Sequence, residues 1–170
     1  MTDLRSILIA EDDENDVLFL RRSFKQVELT NPVHFAHDGQ DAVDFLSQPR
    51  SATTTLPSLI ILDLKMPRLN GLEVLEWIRR QPALRCLPVL MFSSSNRRDD
   101  IESAYALGAN GFLVKPASTV QREVIARFFK SWIMLNEVPL ASVEGALAAR
   151  TAYDRRAARS APMRDDQLKA

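Results

Sequence analysis

The sequence predicts a doubly wound α/β domain with a parallel sheet. Three observations predict it. Short apolar runs alternate with longer amphipathic segments five times before residue 136. The third run contains a near-continuous Leu-Ile-Ile-Leu, the pattern of a strand buried on both faces. Gly, Pro and Asn punctuate the connections, as in successive βα units.

Residues 6–10 read as the first strand. Residues 15–27 follow with helical spacing at Val17, Leu18, Leu20, Phe24 and Val27. Residues 32–36 give a second strand, and 39–46 a short helix through Ala42, Val43, Phe45 and Leu46. The buried third strand spans 56–62. Met66-Pro67 and Asn70-Gly71 mark a loop, after which 71–80 is helical through Leu72, Val74, Leu75 and Ile78. Pro82 and Pro88 bracket the next connection. Residues 89–92 form the fourth strand, and 99–107 a helix stopped by Gly108. Residues 111–114 form the fifth strand. Pro116 breaks the chain, and Ser118-Thr-Val-Gln121 has the form of a capping box opening a helix to about residue 135. Right-handed crossovers place all strand C-termini along one sheet edge.

Residues 4–135 therefore read as one domain and 136–170 as a C-terminal extension, Ala- and Arg-rich, partly helical or disordered. The extension is too short for a second globular output domain. Twenty-two basic and 22 acidic residues give a net charge of zero, so no global field draws the chain to nucleic acid or membrane. A single cysteine, Cys86, excludes an intrachain disulfide framework, and its apolar flanks predict a buried filler. No apolar run is long enough to span a membrane and no secretory signal is apparent, so a reduced cytoplasmic compartment is expected.

Ligands of open α/β sheets sit at the carboxyl ends of the strands. Glu11 and Asp12 follow the first strand, Asp63 the third, Ser93 the fourth and Lys115 the fifth. Adjacent carboxylates repel by roughly 4 kcal/mol at about 4 Å and an effective dielectric near 20. A hard divalent cation such as Mg²⁺ relieves that repulsion. Metal-bound phosphate beside a carboxylate describes phosphoryl transfer onto it, with Lys115 and Ser93 suited to pair with the transferred oxygens. Asp13, Glu14 and Asp16 are assigned instead to a negatively charged first helical turn, favourable to the helix dipole. His34 and His37 lack a second ligand at metal spacing and read as structural.

Ile7-Leu-Ile-Ala-Glu11-Asp12-Asp13, Ile61-Leu-Asp63-Leu-Lys-Met66-Pro67, Asn70-Gly71, Leu87-Pro-Val-Leu-Met-Phe-Ser93-Ser, Gly108-Ala and Val114-Lys115-Pro116 stand in an order and spacing that resemble the receiver domain of two-component response regulators. The resemblance implies a flavodoxin-like (βα)₅ fold with strand order 2-1-3-4-5. It implies Asp63 as the residue phosphorylated by a sensor histidine kinase or a phosphotransfer protein. It further implies Mg²⁺ held by Asp12, Asp63 and the backbone carbonyl of Lys65, with Glu11 acting through water. Ser93 and Lys115 would sense the phosphoryl group, and Phe112 holds the aromatic switch position, without the hydroxyl a Tyr would bring. Lys65 and Ser95 occupy positions where the family varies its hydrolysis rate.

Phe92-Ser-Ser-Ser-Asn96 with Asp99-Asp100-Ile101, an insertion before Leu56, and Trp132 in a long last helix resemble a subgroup of stand-alone regulators paired with phytochrome-type kinases. On that helix, Val120, Val124, Phe128 and Trp132 form one apolar row, and Ile125, Phe129, Ile133 and Met134 a second. One sheet face needs less, so the surplus predicts a homodimer contact through the last helix or a cover for the tail. The expected function is a phosphorylation-driven switch without its own catalytic output. The competitors are a receiver-like binding module that works without phosphate and an aspartyl phosphatase. Such phosphatases favour a second Asp two residues after the first, where Lys65 stands.

Overall fold

A computed structural model describes residues 6–49 and 56–136. Its elements are β1 (Ile7–Ala10), α1 (Glu14–Gln26), β2 (Val33–Ala36), α2 (Gly39–Ser47), β3 (Leu59–Leu62), α3 (Gly71–Arg80), β4 (Val89–Ser93), α4 (Arg98–Ala106), β5 (Gly111–Val114) and α5 (Thr119–Leu135). The five strands form one parallel sheet in the order β2-β1-β3-β4-β5. The flavodoxin-like expectation is borne out. The insertion before Leu56 and the 136–170 extension lie, but for residue 136, outside the described residues.

Burial follows position in the sheet. β1, β3 and β4 are central and wholly buried, whereas the edge strands β2 and β5 are only partly so. The third strand is shorter than its apolar run, because Leu56 and Ser58 precede the paired stretch. Alternate strand residues feed two cores. Leu8, Ala10, Ile60, Leu62, Val89 and Met91 meet helices including α2 and α3. Ile7, Ile9, Leu59, Ile61, Leu90 and Phe92 meet α1 and α5. Phe129 of α5 is fully buried there, edge-on to Phe24 and Phe92.

Side-chain caps start four of the five helices, α4 being the exception. Asp13 accepts from the Asn15 and Asp16 amides, Asp38 from Asp41, and Ser118 from Gln121. Asn70 and Glu73 complete a reciprocal capping box at α3. Arg68 takes a left-handed backbone and pairs with Asp38 and Asp41, tying the loop after β3 to the start of α2.

One expectation changes. Cys86 is exposed, because Leu84 and Leu87 fill the turn after α3 and point the thiol outward. On α5, Phe129 enters the sheet core with Ile125, Trp132 and Ile133 packed against it, while Val124, Phe128, Met134 and Leu135 stay exposed. The side chain of Val120 lies outside the described set.

Candidate functional site

Backbone pairing aligns the strand ends. The Glu11 amide donates to Ala36 (3.0 Å), the Asp63 amide to Ala10 (3.0 Å) and the Lys115 amide to Ser93 (2.8 Å). The residues that leave β1, β3 and β5 thus emerge at one level of the sheet. Their side chains converge. Lys115 Nζ lies 2.7 Å from Glu11 Oε2, 2.8 Å from Asp16 Oδ2 and 3.3 Å from Asp63 Oδ2. Glu11 and Asp63 are buried. Asp63 Oδ1 accepts from the Leu64 amide at 2.7 Å, which fixes the carboxylate and turns Oδ2 toward the lysine.

Burial sets the electrostatics. It raises the Glu11 carboxyl to about 7, although the Lys115 hydrogen bond and charge pull it down; the charge of Asp63 adds to the rise. Burial lowers Lys115, but hydrogen bonds to Asp16 and Glu11, with the charges of Glu11 and Asp63, outweigh it and hold the ammonium above its ordinary range. Lys115 therefore stays charged among carboxylates.

Oxygens of Glu11, Asp12 and Asp63 lie within 4.8 Å of one another, and Asp12 is exposed. Three convergent carboxylates are a hard-oxygen donor set suited to a divalent cation. The single ammonium beside them does not offset their charge together with that of Asp16. The residues present thus fit such an ion. Lys65, whose carbonyl the sequence adds to the set, is exposed two residues beyond Asp63.

Ser93 closes β4 and is buried, while Ser94 is exposed, so the hydroxyl at the strand end belongs to Ser93. Its Oγ accepts from the Ser95 amide at 3.2 Å. Ser95 Oγ in turn donates to Asp100 Oδ2 at 2.5 Å and accepts from the Arg97 amide. The loop carrying Ser93 is thereby tied to the first turn of α4. Phe112 is half-buried on β5, opposite Met91, and packs against the α2–α3 core rather than among the acids. A groove lined by Leu64, Lys65, Met66, Asn70, Leu72, Arg97 and Asp100 opens beside Asp63.

Three roles were missed in the sequence. Asp16 is more than a dipole partner, since it reaches Lys115 from 99 residues away. Asp100, read only as part of a motif, anchors Ser95. Gly71, read as loop punctuation, allows a close approach: a Cβ there would sit 2.1 Å from the Asp63 carbonyl oxygen and 2.9 Å from Met91 Cε. Gly71→Ala is therefore expected to displace α3 from the end of β3. The expected cost is about 1–3 kcal/mol in urea unfolding, as for other overpacked sites. Unchanged stability would show that the helix shifts freely.

The family model for the response regulator receiver domain matches residues 7–127. The probable methanogenesis regulatory protein FilR2 of Methanothrix harundinacea is 31% identical over 134 residues, 78% of this chain and 86% of that protein. The response regulator Rcp1 of Synechocystis sp. is 33% identical over 110 residues, 64% of this chain and 75% of that protein. The structure of its Mn²⁺-bound form superposes with a TM-score of 0.71 at 28% identity, covering 79% of this chain and 99% of the other. The phosphorylated cyanobacterial phytochrome response regulator RcpA gives 0.72 at 29% identity, with 79% and 98% covered.

Proposed function

The chain belongs to the response regulator receiver family, and we propose that it is switched by phosphorylation at Asp63. The observation that carries the reading is the position of Asp63: a fixed, buried carboxylate at a strand end, beside Lys115 and within the Glu11–Asp12–Asp63 oxygen cluster.

In the proposed reaction an Asp63 carboxylate oxygen attacks the phosphorus of a phosphohistidine on a sensor kinase or phosphotransfer protein. The P–O bond to Asp63 forms, the P–N bond breaks, and the imidazole leaves. Mg²⁺ is the proposed cation, held by Asp12, Asp63 and the Lys65 carbonyl with Glu11 through water; when bound it offsets the charge on the phosphoryl oxygens. Lys115 places its ammonium against the product, and the Leu64 amide keeps the acceptor carboxylate from rotating. Ser93 would turn its hydroxyl toward the phosphoryl group, giving up the Ser95 amide. Phe112 would fill the space released, a shift between two packings of the α4–β5–α5 face.

A phytochrome-type kinase is the proposed donor. The sequence subgroup and the likeness to RcpA, named as a phytochrome response regulator, support it. The exposed Val124, Phe128, Met134 and Leu135 support a homodimer contact through α5. Light scattering that finds only monomer would remove that contact. No helix among the described residues is long and apolar enough to cross a membrane. The proposed site of action is the cytoplasm, with the output passed to a partner rather than to a catalytic step of the chain itself.

The test is intact mass after incubation with Mg²⁺ and a small acyl-phosphate donor. One phosphoryl group gained, and none when the cation is chelated, is the expected result. No gain with any donor would overturn the reading in favour of a phosphate-independent binding module.

A further inference from the structure

The first turn of α1 holds a carboxylate that the reaction above does not use. Asp13 caps the helix by accepting from the Asn15 and Asp16 amides, at 2.8 and 3.1 Å. That cap fixes the backbone at residue 16 and leaves the Asp16 side chain free to reach across to the end of β5. There its Oδ2 accepts from Lys115 Nζ at 2.8 Å. Asp16 is not one of the three carboxylates that cluster within 4.8 Å as a cation set. It touches the site through the lysine.

The distances around Lys115 rank its partners. Glu11 and Asp16 are the near ones, at 2.7 and 2.8 Å, and Asp63 is the far one, at 3.3 Å. An ammonium has three donors, and three carboxylates already surround this one. A phosphoryl group on Asp63 adds acceptor oxygens and, because the carboxylate's own charge is used up in the new bond, a net gain of roughly one negative charge on the far side. Lys115 can serve them only by loosening a contact it already makes. Asp16 is the partner with most access to water, its side chain 31% exposed against 1% for Glu11, so it is the one that can be re-solvated when released.

We infer that Asp16 is a positioning residue that holds Lys115 in its resting place and competes with the phosphoryl group for it. The strength of that hold then sets how tightly the phosphorylated arrangement is favoured. The inference rests on Asp63 being the phosphoryl acceptor.

The test is the affinity for beryllofluoride, a phosphoryl mimic on a carboxylate, measured by titration calorimetry at saturating Mg²⁺. Wild type, Asp16→Asn, Asp16→Ser and Glu14→Gln are compared. Glu14 is an exposed acid of the same helical turn, and Glu14→Gln makes the same change in net charge. Asp16→Asn and Asp16→Ser should bind about threefold to tenfold more tightly than wild type, the range of a partly exposed charge-assisted contact. Glu14→Gln should stay within about twofold, as for a screened surface charge. Thermal unfolding of each variant shows that the comparison is between folded proteins. Equal or weaker binding by both Asp16 variants would overturn the competition. So would an equal gain from Glu14→Gln, which would reduce the effect to general charge. No binding by the wild type would overturn the acceptor reading itself, and this inference with it.

Discussion

Asp63→Asn is expected to gain no phosphoryl group from any donor, and yet to unfold at a higher temperature than the wild type when divalent cations are chelated. The first half follows from chemistry, since a carboxamide oxygen is a poor nucleophile and gives no acyl phosphate. The second follows from the charges around it. Glu11, Asp16 and Asp63 surround the single ammonium of Lys115, and Asp12 clusters with Glu11 and Asp63. Removing the charge of Asp63 costs Lys115 its longest contact and relieves the repulsion with the remaining carboxylates. Asn keeps the oxygen that accepts from the Leu64 amide, so the backbone at the end of β3 need not move. The balance should favour the variant by about 1 kcal/mol, or roughly 2–4 °C for a chain of this size. Intact mass and thermal melts in chelator check both halves. Phosphoryl uptake at the wild-type level would place the acceptor elsewhere. A lower melting temperature would mean that the Lys115–Asp63 contact outweighs the repulsion.

The same cluster shows what could be read in the sequence and what could not. Glu11, Asp63, Ser93 and Lys115 were legible because each directly follows or closes an apolar run, and parallel pairing brings such positions to one edge. No partner needs to be known for that inference. Asp16 was not legible. An acid in the first turn of a helix has a sufficient local explanation in the dipole, and nothing near it in sequence points to a lysine at the end of β5. Asp100 was hidden in the same way, since α4 opens with two acids that serve the helix start whether or not one also binds Ser95. Gly71 announced a turn, but the reason for glycine is the approach of α3 to the Asp63 carbonyl, a tertiary distance. The fold class was legible for the opposite reason: periodicity is local, and five βα units imply a parallel sheet, while the strand order came with the family resemblance. Where the reading of burial failed, the sheet had already been satisfied by neighbours. Leu84 and Leu87 took the buried places in the turn after α3 and left Cys86 outside.

Lys115→Met should be the most destabilising change at the site, and its cost should depend on both pH and divalent cation. Methionine fills much of the same space, so the difference is charge. Removing one partner of a buried ion pair typically costs about 3–5 kcal/mol, because the other charges are left uncompensated. Here two responses reduce that cost. Glu11 can bind a proton: burial already raises it to about 7 from an ordinary 4.5, with Lys115 opposing the rise. A carboxyl raised on folding stabilises the native state fully below its unfolded value, and that contribution is lost as pH rises through the folded value. Without Lys115 the folded value climbs further, so the loss of stability on raising pH is larger and extends further above neutrality than in the wild type. The gap between the two proteins should thus widen by about 1 kcal/mol between about pH 5 and about pH 8 in chelator. A divalent cation within the Glu11–Asp12–Asp63 cluster would supply the missing positive charge, so Mg²⁺ should stabilise Lys115→Met more than the wild type. Urea unfolding at the two pH values, with chelator and with Mg²⁺, measures all four terms. Equal stability of the two proteins at the higher pH in chelator would show that water, not Lys115, balances these carboxylates. Lys115 would then matter only after the phosphoryl group arrives.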